Sequence, residues 1–229
     1  MMNPYEKIVG LDWYHSVPLP DGSFTPGETK HASLAVNEAE VFGITPELMK
    51  NCWVLDVGCW DGIHSWWALE YGANTVWSFD CKPLPTLKVL KEIREYHDLN
   101  CAGWRFDTRE GNTVEKLPFD SEQFDVVLFF GVFYHIEDPM AGFRECVRVC
   151  KPGGTILAHG AMCDIINKPN EDIAWYNAKD LGVPGVGAKW YPTDGAVHYA
   201  LKAFGCGETE LVNRLPNRSR ATFKGVKES

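Results

Sequence analysis

From residue 53 to residue 158 the chain alternates between short apolar runs and longer stretches in which apolar residues return every three or four positions. The runs at 53–57, 75–79 and 124–130 have the length and composition of buried strands. The stretches at 62–71, 84–96 and 139–150 have the period of helices with one apolar face. A shorter run at 104–106 reads as a strand closing on Asp107, and Lys151-Pro152-Gly153-Gly154 reads as a tight turn into a strand at 155–158. Strands alternating with helices predict an α/β fold, a mostly parallel sheet doubly wound by helices on both faces.

The flanks break this rhythm. Residues 1–27 hold Trp13, Tyr14, His15, Pro18, Pro20, Pro26 and the turn Asp21-Gly22, and so aromatic a leader is expected to fold back over the domain. Leu34, Ala35, Ala39 and Phe42 fit one face of a helix over 28–42, and Thr45-Pro46-Glu47 predicts a cap with proline opening a second, short helix. After His159 the alternation lapses. Residues 160–192 hold four glycines and three prolines and are too long for a plain connection, so a lid or an interface is expected there. Helical spacing resumes at 193–204. The segments 210–215 and 221–226, joined by Pro216-Asn217-Arg218, predict a closing antiparallel pair. The organisation expected is a cover segment at 1–44 and one domain at 45–229, with the lid inserted at about 160–192.

Composition narrows the function classes. The 229 residues carry 22 basic and 31 acidic side chains, a formal net charge of −9, with no lysine or arginine run. That argues against a general grip on a nucleic-acid backbone. The longest apolar run, at 126–134, is too short to span a bilayer, and the first ten residues lack a signal-like apolar core, so a cytoplasmic protein is expected. None of the eight cysteines forms a C-x-x-C. Cys52, Cys59, Cys81 and Cys101 lie in or beside apolar segments and read as small hydrophobes. Cys146 with Cys150, and His159 with Cys163, have helical spacing but no second matching pair, so no metal site is expected.

The chemistry lies at the strand ends. Asp56-Val57-Gly58-Cys59-Trp60-Asp61-Gly62 leaves the first strand, Asp80 closes the second and Asp107 the third. Ligands of doubly wound sheets lie outside the carboxyl ends of the strands. Glycine lets backbone approach a ligand closely, and the helix that follows turns its N–H groups toward the crevice. An acid after the second strand suits a ribose diol, and one after the third suits an exocyclic adenine amine. The three together predict an adenosyl cofactor.

Through LDVGCWDG (55–62), FD (79–80), FD (106–107), FDVVLFFGVFYHIEDP (124–139) and VCKPGGTIL (149–157), the chain resembles the class I S-adenosylmethionine-dependent methyltransferases over roughly residues 50–227. The resemblance implies a Rossmann-like, seven-stranded sheet with an antiparallel last strand. It implies S-adenosyl-L-methionine as cofactor and S-adenosyl-L-homocysteine as product. It assigns Asp56, Gly58 and Gly62 to the methionine and adenosine parts, Asp80 to the ribose and Asp107 to adenine, and Trp60, Asp61, Cys81, Thr108, Phe130 and Gly131 are expected in the same cofactor-binding set. Trp60 stands where the family has its middle glycine, so its indole must point away from the cofactor or over it. A nicotinamide enzyme would prefer G-x-G-x-x-G, where this chain has Gly58, Trp60 and Ile63.

A narrower likeness runs through WYHS (13–16), FTPG (24–27), GVFYHIEDP (131–139), WYPT (190–193) and RATFKGVK (220–227), which resemble the branch containing the tRNA wobble-uridine carboxymethyltransferases. There a lysine, a tyrosine and an arginine hold the extra carboxylate of a carboxylated cofactor. Tyr134 and Arg220 match two of these, and His15 takes the lysine's position. Those enzymes also carry a longer N-terminal region. With the acidic balance, this favours plain S-adenosylmethionine and a small-molecule acceptor over carboxymethyl transfer to tRNA. A non-catalytic cofactor-binding or regulatory subunit is the remaining alternative.

Methyl transfer from a sulfonium is an in-line displacement. Positioning dominates, and a base is needed only where the acceptor sheds a proton. His135, Tyr134 and His15 are the catalytic candidates. Trp13, Tyr14, His159, Trp190, Tyr191 and Arg220 are expected to bind the acceptor, with Trp175 in the same lid-like stretch. His64, among Trp66, Trp67 and Leu69, is expected to be structural.

Overall fold

The apolar runs are strands with little or no exposed surface. Val54, Leu55, Val57, Val76 and Phe79 have none, and neither do Val127, Leu128 and Phe129. A computed structural model describes residues 3–27, 38–163, 174–176, 190–214 and 220–229. The chain divides into two units, Met1–Asn112 and Thr113–Ser229.

The first unit contains α1 (Glu38–Val41), α2 (Pro46–Met49), β1 (Trp53–Val57), α3 (Ile63–Glu70), β2 (Thr75–Asp80), α4 (Pro85–Tyr96) and β3 (Trp104–Thr108). The leader falls in this unit too. β2 pairs in parallel with β1 on one side and β3 on the other, and the register sets Asp56 beside Ser78 and Ser78 beside Phe106. Helix α4 is amphipathic and buries Leu87, Val89, Leu90 and Ile93. Burying side chains of this kind contributes about 1.5–3 kcal/mol each. Helix α3 has seven buried residues in eight, so it is packed all round rather than on one face. Thr45 caps α2 as its sequence predicts, accepting from the Leu48 N–H at 3.3 Å.

The second unit contains β4 (Phe124–Phe130), α5 (Pro139–Val149), β5 (Cys150–Ala161), β6 (Ala174–Tyr176), β7 (Trp190–Pro192), α6 (Asp194–Ala203), β8 (Cys206–Arg214) and β9 (Arg220–Lys227). β4 and β5 are parallel, while β9, the last strand, runs antiparallel to both β5 and β8. Between them the units supply the seven strands of a mixed, Rossmann-like α/β sheet; β6 and β7 form a separate two-stranded pair. The second core gathers Phe124, Phe129, Phe133, Leu157 and Phe223.

Two expectations change. Lys151–Gly154 is part of β5 rather than a turn before it: Gly153, at φ +73°, sits where the register shifts between Phe124 and Val126, so the strand carries an irregularity and stays paired. β3 runs on through Asp107 to Thr108. Of the helix expected over 28–42, the described residues show one turn, Glu38–Val41; Leu34 and Ala35 lie outside them. Most of the expected lid at 160–192, and the turn Pro216-Asn217-Arg218, also lie outside. No described helix is long and apolar enough to cross a membrane.

Candidate functional site

The turn after β1 is built on left-handed backbone. Gly58, Trp60 and Gly62 have φ of +73°, +45° and +92°. At Gly62 a side chain would also collide with Leu87 Cδ2, so this glycine serves close packing of the turn on α4. Trp60 holds a conformation that costs a non-glycine residue about 1 kcal/mol or more. Its N–H donates to Asp80 Oδ2 at 3.1 Å, and its half-exposed indole carries Lys82 Nζ 3.6 Å over the ring. The indole therefore sits on the turn's solvent side, where a glycine would have left the backbone open. The Gly58 and Cys59 N–H groups both donate to the Phe79 carbonyl, at 2.8 and 3.1 Å, which ties the turn to β2.

Three carboxylates crowd this turn, with exposures of 1% for Asp56, 0% for Asp61 and 6% for Asp80. Asp56 ends a one-way hydrogen-bond chain. The Trp104 indole donates to Ser78 Oγ at 2.8 Å; Ser78 and Ser65 are linked at 2.7 Å; Ser65 Oγ donates to Asp56 Oδ2 at 2.6 Å. Because the single hydroxyl hydrogen of Ser65 goes to Asp56, Ser78 passes its own hydrogen to Ser65, and all three hydrogens point toward Asp56. The other oxygen, Oδ1, is buried with no hydrogen-bond partner among the described residues. Burial, opposed by the Ser65 bonds and reinforced by Asp80 and Asp61, raises the Asp56 pKa to about 7. Burial also drives the Cys59 thiol well above its usual range, so it stays protonated as a small apolar filler.

Asp80 Oδ1 accepts from the Cys81 N–H at 2.7 Å; Cys81 itself is exposed. At the end of β3, Arg109 grips Asp107 with two bonds, at 2.7 and 3.1 Å, and Asn112 adds a third at 3.1 Å. Burial pushes the Asp107 carboxyl up, but the Arg109 and Asn112 contacts outweigh it and hold it below the usual range. Asn112 also donates to the Asp80 carbonyl at 3.0 Å, bridging the ends of β2 and β3. Thr108, expected with Asp107, is half-buried.

Two residues assigned from the sequence have their partners in the leader. Asp61, expected to contact the cofactor, has both oxygens turned to the leader: Oδ2 accepts the Tyr14 and His15 N–H groups at 2.9 and 2.6 Å, and Oδ1 meets His15 Nδ1 at 2.7 Å. Trp13, expected to line an acceptor pocket, is 4% exposed and donates its indole hydrogen to the Ile8 carbonyl at 3.1 Å. It is leader core. Tyr14 remains exposed, edge-on to Trp60 with ring centroids 6.0 Å apart. His64 is buried against Phe42 and Trp67, in keeping with a structural role.

The second unit assembles a different group. Tyr134 is 3% exposed; its hydroxyl accepts from Arg220 Nη1 at 3.0 Å, and the guanidinium lies 5.4 Å from the ring centroid. Gly160 makes room for this tyrosine, since a side chain there would overlap Phe133 and Tyr134. His159 Nδ1 and Thr222 Oγ1 are 2.9 Å apart, and Phe130 packs edge-on to the His159 ring. The left-handed Gly131, at φ +74°, donates its N–H to the His159 carbonyl at 2.8 Å. Trp190 binds the same loop twice, donating its N–H to the Tyr134 carbonyl and its indole hydrogen to the Ile136 carbonyl. Tyr191 pairs with Trp175 across β6 and β7. His135 is exposed and stacks at 4.2 Å on Tyr134. No group of three or more metal-ligating side chains occurs among the described residues.

Ser65, Ser78, Asn112, Arg109 and Thr222 carry much of this geometry, and the sequence reading passes over them. A serine inside the otherwise apolar run at 75–79 is the available signal for Ser78; the others have none.

Residues 55–158 match the family model described as a methyltransferase domain. Over those residues, somewhat less than half of its length, the chain is similar to a methyltransferase domain. Among curated proteins, the tRNA U34 carboxymethyltransferase of Idiomarina loihiensis is 32% identical over 105 residues, 45% of this chain and 31% of its own length. The ubiquinone biosynthesis O-methyltransferase of Dinoroseobacter shibae is 30% identical over 153 residues, 65% of this chain and 53% of its own. The chain spans between about a third and a half of the length of these relatives. The solved structure of 1,6-didemethyltoxoflavin-N1-methyltransferase from Burkholderia thailandensis, with bound S-adenosylhomocysteine, shares the fold at a TM-score of 0.60 and 18% identity, over 88% of this chain and 80% of that one.

Proposed function

We propose that the protein is an S-adenosylmethionine-dependent methyltransferase acting on a small-molecule acceptor. The observation that carries the reading is the turn at 56–62. A fully buried carboxylate oxygen without a partner among the described residues, on Asp56, is costly unless a donor reaches it. Asp80 beside it adds a second carboxylate at the next strand end. A cationic ligand rich in N–H and O–H donors fits that demand, and S-adenosylmethionine is such a ligand. When bound, it supplies an electrophilic methyl group on a sulfonium. Asp56 and the backbone of Gly58 then serve its methionine and adenosine parts, Asp80 its ribose hydroxyls and Asp107 its adenine amine. Phe130 and Gly131 complete the set. Tyr134, His135, His159, Trp190, Tyr191 and Arg220 are the acceptor-side residues, and their part is to orient the nucleophile and exclude water. A relative that methylates in ubiquinone biosynthesis supports a small acceptor.

A second reading, carboxymethyl transfer to a tRNA wobble uridine, is favoured by one contact. The Arg220–Tyr134 pair joins two of the three residues that would grip an extra carboxylate, and a relative carries that activity in its name.

Two measurements test both readings. Calorimetric titration with S-adenosylhomocysteine should show one site per chain, and absence of binding would overturn the proposal. Mass spectrometry of ligand released from the purified protein should give the plain cofactor or its demethylated product; a mass raised by a carboxylate would favour the second reading.

A further inference from the structure

The leader motifs WYHS and FTPG form one clip within the first unit. Thr25 Oγ1 donates to the His15 carbonyl at 2.9 Å and accepts from the Val17 N–H at 2.8 Å. The Thr25 N–H donates back to the Val17 carbonyl at 3.1 Å. Ser16 Oγ donates to the Gly27 carbonyl at 3.2 Å. Gly27 lies so close on the His15 carbonyl that any side chain would overlap it. Buried Trp13 anchors the other end. Residues 13–16 are therefore one shaped piece, and what that piece is fastened to is Asp61.

Asp61 lies between Trp60 and Gly62 and has no exposed surface. Its Oδ2 accepts two backbone N–H groups, so the carboxylate acts as an acceptor there, and His15 Nδ1 meets its other oxygen at 2.7 Å. An acceptor at Oδ1 puts the imidazole hydrogen on Nδ1 and leaves the lone pair on Nε2. The ring is steadied by edge contacts to Tyr14 and His64, at 4.8 and 5.7 Å between centroids.

We propose that Asp61 is a positioning residue: it latches the leader clip onto the cofactor turn and fixes His15 as the Nδ1–H tautomer. This rests on the reading of residues 56–62 as the cofactor turn. It deepens that reading, because an imidazole so oriented is what an acceptor that sheds a proton on methylation, such as a hydroxyl, requires. Clip and ligand then stabilise each other, since a coupling through one residue acts equally in both directions.

The test uses the full chain labelled with ¹⁵N. Long-range ¹⁵N–¹H spectra of the ligand-free protein at pH 8 should show His15 with a protonated-type Nδ1 and an unprotonated-type Nε2. Asp61→Asn should mix the tautomers and speed amide exchange at Tyr14 and His15 at least tenfold, with β1 and β2 amides unchanged as the sign of an intact fold. Saturating S-adenosylhomocysteine should shift the His15 ring signals and slow exchange across residues 13–17 of the unsubstituted protein. An Nε2–H tautomer in the unsubstituted protein overturns the proposal outright, whatever the variant does. So does an Asp61→Asn protein with unchanged tautomer and exchange, or a His15 signal that saturating ligand leaves in place. Should Asp61→Asn not fold, Thr25→Val loosens the clip without touching the turn, and unchanged exchange at Tyr14 and His15 there would count against the clip. A protein that binds no S-adenosylhomocysteine sinks the cofactor reading instead, and leaves the latch to be judged by tautomer and exchange alone.

Discussion

The two units carry opposite chemistry at their strand ends. The first presents acids: Asp56, Asp61 and Asp80, all buried, with Asp107 held beside Arg109. The second presents aromatic rings, imidazoles and two guanidiniums, Arg214 paired with Asp194 and Arg220 in direct contact with Tyr134. Buried charge is expensive and tolerates few substitutes, so under the proposed function the acidic end should accept one kind of ligand. Neutral rings and hydroxyls can be reshaped at small cost, which under the proposed function suits an acceptor side that varies from one enzyme to another. On this view the first unit should be sensitive to the loss of single atoms and the second should not.

The largest effect should come from Asp56. Its folded-state pKa is about 7 against an ordinary 3.8. Below the ordinary range both folded and unfolded chains hold the proton. As pH climbs toward 7, the unfolded chain loses it and the folded chain keeps it, so ligand-free stability falls with rising pH, by on the order of 4 kcal/mol. Asp56→Asn removes this titration. The variant should show a flatter stability profile than the unsubstituted protein between pH 4 and 7 in urea melts and should bind S-adenosylhomocysteine more weakly at pH 8. Parallel profiles would show that the carboxylate is not charge-strained, and the contrast between the units would lose its basis.

Asp80→Ala comes next. Besides any ligand contact it removes acceptors for the Trp60 and Cys81 N–H groups. Charge-assisted bonds are worth about 1.5–3 kcal/mol each, so a loss of about 100-fold in S-adenosylhomocysteine affinity is expected by calorimetry. Affinity within threefold of the unsubstituted protein would remove Asp80 from the ribose.

Gly62→Ala tests packing at the same turn. A left-handed φ of +92° and the collision with Leu87 both act against it, at about 2–3 kcal/mol of stability by urea unfolding. A cost below 1 kcal/mol would mean that α4 yields and that the turn is less rigid than its neighbours imply.

How far the molecule is legible in sequence differs between the units in the same way. In the first, the strand and helix limits, the glycine turn and the strand-end acids follow from apolar period and punctuation. These are local signals, and β1 and α3 lie within a residue or two of expectation. What local pattern does not carry is which of several neighbouring acids faces outward. Its place in the turn assigns Asp61 to the ligand, but its partners are 46 and 47 residues earlier. An aromatic leader suggests a covered site and gives Trp13 to a pocket; the residue is the leader's own core. In the second unit, the Lys151–Gly154 segment has turn composition but keeps its ladder by shifting register, which depends on β4 alongside. The Tyr134–Arg220 contact spans 86 residues and is legible only through family likeness.

The smallest effect is also the one that separates the two functional readings. Arg220→Ala removes the donor to Tyr134 Oη and the cation beside its ring. Under plain methyl transfer, neither group holds the cofactor. Affinity for S-adenosylhomocysteine should then change by less than about twofold, with stability lowered by about 1 kcal/mol for the lost bond. Under carboxymethyl transfer, the same arginine meets a carboxylate, and a charge-assisted contact of that kind is worth about tenfold or more in binding. Titrating the variant with S-adenosylhomocysteine and with the carboxylated sulfonium side by side therefore reads the two hypotheses separately. A loss confined to the carboxylated ligand would tie the second unit to one ligand as tightly as the first and end the comparison. A loss with both ligands would place Arg220 in the cofactor set. Little change with either would favour the acceptor side proposed for it.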